Sequence, residues 1–325
     1  MFGRRISAAL AATAAAVLLA ACGSSGASTP GSKVTLTLGD QANGLQTLMK
    51  AANALDGTPY DVKWAEFQGA APLFQAMQGG AVDTGTAADL PTLAAISGKL
   101  PIKLVGALRS SGAGTAILVR ADSPIKTVAD LKGQTVVVSS ARGSIAEYLL
   151  ATALQQAGLK YSDVTVQFVL PTAAQAAFNS GQIQVWATFD PYNAIGLKSG
   201  GRMLVDGLDG RVSGVGFISA ATSSLADAGK KAAITDFLNR LAKAEEWANT
   251  HQDEYTGVYS KTNGVAPDIA TQVVAHSRAT LGPVAPDVVS KVQSVSDLMH
   301  SIGSLPSNVD VASVTDTSVF KPAAN

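Results

Sequence analysis

Two hydrophobic rhythms alternate along most of this chain. Short runs rich in β-branched residues, bounded by turn residues, predict strands, and stretches whose apolar positions recur three and four apart predict helices. VTLTLG at 34–39 reads as a strand, LQTLMKAANAL as a helix, YDVKWAEF as a strand and PLFQAMQGG as a helix closed by glycine. VDTGTA is a short strand, PTLAAISG a helix with Pro91 near its first turn, and IKLVGAL and GTAILVR are strands. A Pro-bearing turn and a short helical piece at 123–134 interrupt the rhythm, which then resumes as TVVVSS, SIAEYLLATALQQAG, VTVQFVL, TAAQAAFNSG, VWATFD, PYNAIGLKSG and RMLVDG. This βαβα order implies mostly parallel sheets covered by helices, in two α/β units.

After GVGFISAA (214–221) three long helical patterns take over: AAITDFLNRLAKAEEWANTHQDEY, PDIATQVVAHSRATL and PDVVSKVQSVSDLMHSIGSL. In the first, Phe237, Leu238, Leu241 and Trp247 mark a core-facing stripe, and its Glu and Lys residues are expected on the solvated side. No repeat of solenoid period runs through the sequence.

The first residues change the picture. Arg4 and Arg5 precede an apolar run at 8–21, followed by Cys22, the single cysteine of the chain. That is the layout of a secretory signal, too short and alanine-rich for a membrane span. LAAC at 19–22 resembles the lipobox of bacterial lipoproteins, which implies cleavage after residue 21 and lipidation of Cys22. Residues 22–32, rich in Gly and Ser, are expected to tether the folded part to the extracytoplasmic face of the cell membrane. With Cys22 lipidated, disulfides and thiol nucleophiles are excluded from the rest of the chain. The 24 Lys and Arg balance 24 Asp and Glu, and losing Arg4 and Arg5 leaves 22 against 24, a net charge of −2. Such a balance argues against a nucleic-acid partner. A hydrophobic content of 47% in 325 residues supports a packed core in about two domains.

In open parallel α/β units, ligands bind beyond the carboxyl ends of the strands, where helix N-termini converge. Four turns fit: GDQANG (39–44), EFQGAAP (66–72), TAADLP (86–91) and SSARGS (139–144). In the last, free amides, the helix dipole and the bidentate Arg142 suit an oxyanion, while an ordinary cap at Ser140 or Ser144 beside a solvated arginine is the alternative. Trp186, Phe189 and Tyr192 surround Asp190, either as core at a strand end or as a pocket wall. His251 and Glu254 stand three apart without a third ligand nearby, so no metal site is expected. His276 and His300 each stand alone on a helix, where surface or boundary positions are expected. The sequence contains no GxSxG, GxxxxGK[ST] or complete GxGxxG, which leaves a nucleophilic enzyme without its parts.

The run AILVRADSPIKTVADLKGQTVVVSSARGSIAEYLLATALQQAGLKYSDV resembles the central region of the aliphatic-sulfonate-binding proteins of ABC importers, relatives of the taurine and nitrate binders. WAEFQGAAPLFQAMQGGAVDTGTAADLP and AAFNSGQIQVWATFDPY are similar to flanking signatures of that family, and the resemblance spans about 34–217. It implies a type II periplasmic-binding-protein fold, two α/β lobes with mostly parallel sheets around a ligand cleft. Lobe 1 would comprise 33–115 and the mainly helical 219–325, lobe 2 would comprise 116–218, and the crossings would fall near 116–120 and 214–220. The implied ligand residues are Gln41, Gly69, Ala70, Ala88, Asp89, Ser140, Arg142, Gly143, Ser144, Trp186, Phe189 and Asp190, with Arg109 and Ser110 near the first crossing.

Where sulfonate binders often read TGDAP this chain has TAADLP, and ARGSI replaces a KGSSS-type turn, so Leu90 and Ile145 are expected to enlarge the apolar share of the pocket. The expectation is a monomeric receptor without cofactor that clamps a small organic anion, foremost a sulfonate, and delivers it to a permease driven by a cytoplasmic ATPase. An aromatic acid, nitrate or a thiamine-precursor pyrimidine are alternative ligands. The enzymes that resemble these receptors are desulfinases, which need a cysteine nucleophile, and thiamine-precursor synthases, which are histidine-rich at the site; neither set is present here.

Overall fold

The computed structural model describes residues 33–321. Cys22 and the expected signal and tether therefore lie outside the described residues. The chain opens with β1 (Thr35–Gln41), α1 (Gly44–Ala51), β2 (Asp61–Phe67), α2 (Ala70–Gln78), β3 (Thr84–Ala88), α3 (Asp89–Ser97) and β4 (Ile102–Ser110). It continues through β5 (Thr115–Arg120), β6 (Thr135–Val138), α4 (Ile145–Gln156), β7 (Thr165–Phe168), α5 (Pro171–Asn179), β8 (Val185–Phe189), α6 (Tyr192–Lys198) and β9 (Gly201–Asp206). It closes with β10 (Val215–Ala221), α7 (Thr222–Ala226), α8 (Ala228–Thr250), α9 (Gln252–Asn263), α10 (Pro267–His276), β11 (Ala279–Gly282) and α11 (Pro286–Ser301).

The strands form two sheets, ordered β11-β4-β10-β3-β1-β2 and β7-β6-β8-β5-β9. Four of the six strands in the first and four of the five in the second run the same way, the exceptions being β10, β11 and β5. The parallel pairs arise from βαβ crossovers, and β10 enters the first sheet antiparallel because it comes from the other lobe instead of from a covering helix. The register pairs Gln41 with Phe67 and Gly216 with Ala88, so the ends of β1, β2 and β3 meet at one rim.

The connections between lobes run at 111–114 and 207–214. Residues 116–119 are instead the fully buried centre of β5, and most of 214–220 is β10, so the first lobe resumes at Val215 and not at 219. Apolar runs buried on both faces carry no mark that separates a hinge from the strand beside it. The two crossings hold each other: the Ser110 N–H donates to the Gly214 carbonyl at 2.7 Å, and Gly207 N–H to Thr115 at 2.8 Å. Gly214 has φ +68°, and a Cβ there would collide with the Ser110 carbonyl oxygen.

Helix α8 packs Ile234, Phe237, Leu238 and Leu241 into the first lobe with no exposed surface, as its spacing predicts. Trp247 is only half-buried and stacks on His251 at 5.3 Å. One polar residue departs from the expected solvated side: Glu245 is 8% exposed. It stands four residues after Leu241, on the buried stripe. The pattern read as one helix through 281 also divides. Helix α10 ends at His276, and β11 pairs with the free edge of β4, matching Thr280 to Arg109. A ladder partner distant in sequence overrides the local helical spacing.

Candidate functional site

A cleft of about 700 Å³ lies between the lobes, built from the strand-end turns of both sheets. That volume suits a small organic molecule.

At the first turn the carboxylate of Asp40, 2% exposed, accepts the N–H groups of Gln41, Leu45 and Gln46 at 2.7, 2.9 and 2.8 Å. Burial pushes its carboxyl upward, and those three donors oppose the shift. The start of α1 is thus already occupied by a carboxylate of the chain. Gln41 lines the cleft, with its Nε2 donating to the Thr86 carbonyl at 2.6 Å.

The second turn differs. Helix α2 starts after Gly69 with no side-chain cap and no acid in its first turn, so the positive end of its dipole is uncompensated. Ala70 and Ala71 line the cleft there. Gly69 itself faces Ser140 of the second lobe: a Cβ on it would stand 3.0 Å from the Ser140 Oγ.

At the third turn Ala88 lines the cleft and Asp89 does not. Asp89 is fully buried, accepts the Leu90 N–H at 2.6 Å and bonds Ser213 in the second crossing. Burial raises its carboxyl to about 6 against those bonds. It ties the third turn to the crossing. Leu90 is likewise fully buried in the core, whereas Ile145 reaches the cleft.

Ser140, Arg142, Gly143 and Ser144 all line the cleft from the second lobe. Ser144 caps α4 by accepting the Glu147 N–H at 3.3 Å. The Gly143 N–H is donated to the carboxylate of Glu147, which is buried and also accepts from Tyr161 at 2.7 Å and Ser304 at 2.9 Å. This amide of the α4 start is therefore engaged within the protein, while the guanidinium of Arg142 remains available to a ligand. Its side chain is 57% exposed, 4.0 Å from Glu147 and 5.5 Å above the Phe168 ring, contacts that orient it without covering it. Gly143, at φ +78°, passes so close to the first lobe that a Cβ would come within 2.6 Å of Ala94.

At the far wall, Phe189 and Asp190 line the cleft and Trp186 does not. Trp186 is fully buried, packs on Phe178 at 5.4 Å and donates its Nε1–H to Ser139 at 2.9 Å. Alternation along β8 turns it into the core while Phe189, an odd number of residues on, faces the cleft. Arg109 is also away from the cleft, in a surface ion pair with Asp287 at 2.7 Å. Ser110, beside it, does line the cleft.

Among the cleft residues that escape a reading of the sequence, two are titratable. His276, at the end of α10, donates Nδ1–H to Asp190 at 2.7 Å across the lobes. That bond raises the imidazole's pKa, against partial burial. Glu245 lines the cleft from α8, and its position on the apolar stripe was the one available signal. Phe74, Leu108, Phe189, Ile145, Val212 and Val215 make much of the remaining wall apolar. The site offers one exposed cation, an open helix start and a hydroxyl facing it, over an apolar floor. This chemistry suits an anionic head on an organic tail.

A family model described as NMT1/THI5 like matches residues 61–255. The chain is 32% identical over 252 residues, 77% of each chain, to a protein of Escherichia coli (strain K12) named as an aliphatic sulfonates-binding protein. Among solved structures, the alkanesulfonate-binding protein SsuA from Xanthomonas axonopodis pv. citri bound to MOPS aligns with a TM-score of 0.81 and 27% identity, over 88% of this chain and 99% of that one. The periplasmic aliphatic sulphonate binding protein SsuA from Escherichia coli aligns with a TM-score of 0.75 and 31% identity, over 87% and 92%.

Proposed function

The chain belongs to the NMT1/THI5-like family, and from that premise and the cleft's chemistry we propose that it is the extracytoplasmic receptor of an ABC importer for an organic sulfonate. The observation that carries the reading is Arg142 and Ser140 of one lobe facing the uncapped start of α2 in the other. A sulfonate docked on the amides of α2 would gain the Arg142 guanidinium when the lobes close, and the apolar wall would cover its tail. Ligand shifts the lobes only by binding the closed arrangement better than the open one. The closed receptor, a monomer held at the membrane through a lipid on Cys22, would then deliver the solute to a permease and its ATPase. Its role is binding and not catalysis: no thiol lies beyond Cys22, and the cleft's histidine is engaged with Asp190.

Thermal unfolding of the purified protein with alkanesulfonates, aromatic sulfonates and carboxylates, nitrate, and pyrimidines tests this. Sulfonates are expected to raise Tm, because a ligand at a hundred times its Kd adds about 2.7 kcal/mol to the native state. Arg142→Ala should lower sulfonate affinity by about tenfold or more, the worth of a charge-assisted bond. A response confined to pyrimidines or nitrate overturns the sulfonate reading.

A further inference from the structure

Five carboxylates are buried among the described residues: Asp40, Asp83, Asp89, Glu147 and Glu245. Four are saturated. Asp40 holds three N–H groups, Asp83 holds Lys230, Ser224 and the Thr37 N–H, Asp89 holds Ser213 and the Leu90 N–H, and Glu147 holds Gly143, Tyr161 and Ser304. Glu245 has no hydrogen bond or ion pair to any described residue, and burial alone pushes its carboxyl up to about 7. A buried carboxylate without a partner is costly to keep.

Its surroundings are as telling. Glu245 stands where the cleft passes into a smaller annex of about 250 Å³, sharing Gln41, Thr86 and Leu108 with it. The annex is walled by Tyr255 and Tyr259, whose rings lie edge to face at 6.2 Å, and by Leu48, Ala248 and Val274. A carboxylate beside two tyrosine rings in a mostly apolar chamber is the chemistry that recognises an alkylated ammonium group. Resting on the sulfonate reading above, we propose that the annex is a second subsite, which takes the cationic alkylammonium tail of a zwitterionic organosulfonate with Glu245 as its counter-ion.

The other ionisable groups of the annex leave that role to Glu245. Asp190, at the mouth, is bonded to His276. Asp40, on the adjoining cleft wall, is saturated by backbone donors. Arg278 is exposed and makes no ion pair with Glu245 among the described residues. Burial pushes Tyr255 and Tyr259 upward, so both stay neutral phenols.

Two probes separate charge from shape: 3-(trimethylammonio)propane-1-sulfonate and its uncharged-tail isostere 4,4-dimethylpentane-1-sulfonate, with ethanesulfonate as a tail-free control. Their affinities for wild type and Glu245→Gln are measured by calorimetry from pH 6 to 8.5. The ammonium keeps its charge throughout, so the pH dependence belongs to the protein. The expected result is a preference for the cationic tail of about tenfold or more at pH 8. It should shrink as Glu245 takes a proton below about 7 and be lost in Glu245→Gln at every pH. Because His276 also gains charge as pH falls, the variant isolates the part due to Glu245. Equal affinities in wild type, a preference that survives Glu245→Gln, or binding of ethanesulfonate with exclusion of both tailed probes overturns the annex assignment alone. Binding of none of the three overturns the sulfonate reading and the annex with it.

Discussion

Glu147 shows how much one side chain settles at this site. In the sequence it is a first-turn acid on an amphipathic helix; in the fold it fills the place that the turn before α4 offers an anion, and it fixes Tyr161 and Ser304 as well. Glu147→Ala would strand the Gly143 N–H and the Ser304 hydroxyl away from solvent and leave the half-buried Tyr161 without its acceptor. Urea unfolding should show a loss of about 1–3 kcal/mol, the cost of buried unpaired polar groups. Arg142→Ala, by contrast, removes a side chain that is 57% exposed and should leave stability within about 0.5 kcal/mol while weakening the ligand. Were both variants equally destabilised, the guanidinium would be a structural partner of Glu147 and not a ligand group.

Helix α8 joins the core of the first lobe to the cleft. Its 23 residues form one wall of the first lobe's core, and Phe237 on that face has no exposed surface. Phe237→Ala should cost about 3–5 kcal/mol through lost burial and the cavity left behind, whereas Lys243→Ala, on the exposed face, should change stability by less than about 0.5 kcal/mol. Chemical denaturation of the two variants side by side checks the orientation of the helix, which also aims Glu245 at the cleft. The spacing of the stripe is legible in the sequence, and Glu245 sits on it. What the spacing did not disclose is that this position faces a chamber instead of packed side chains. The split between α10 and β11 was hidden for a related reason: the edge of β4 that β11 completes lies about 170 positions earlier in the chain.

At the scale of the whole molecule, the lobes meet through polar contacts across the cleft. His276 reaches Asp190, Lys198 pairs with Asp268 at 2.5 Å, and the Thr172 hydroxyl donates to the Gln68 side chain at 3.0 Å. The first of these is sensitive to pH. The bond to Asp190 raises the pKa of His276 above its ordinary value of about 6.5. Its contribution to stability is therefore fully present below that ordinary value and is lost as pH rises through the elevated one. Calorimetric Tm should fall over this range in the wild-type protein, and His276→Gln should flatten that part of the profile. A wild-type profile that is flat there, or one unchanged in the variant, would separate this pair from the holding together of the lobes.

The alternation of strands and helices, the two α/β units and the strand-end turns were legible in the chain, because hydrophobic period and turn chemistry are local properties. The family resemblance pointed to Gln41, Ala70, Ala88, Ser140, Arg142, Gly143, Ser144, Phe189 and Asp190 at or beside those turns, and the structure lines one cleft with all of them. Which polar groups are free to meet a ligand depends on the folded packing. Asp89 is taken by a serine 124 positions away, Glu147 by one 157 away and Asp190 by a histidine 86 away, while Glu245 is taken by none of the described residues. Saturation of a buried charge depends on which distant segment folding brings beside it, and no local pattern records that.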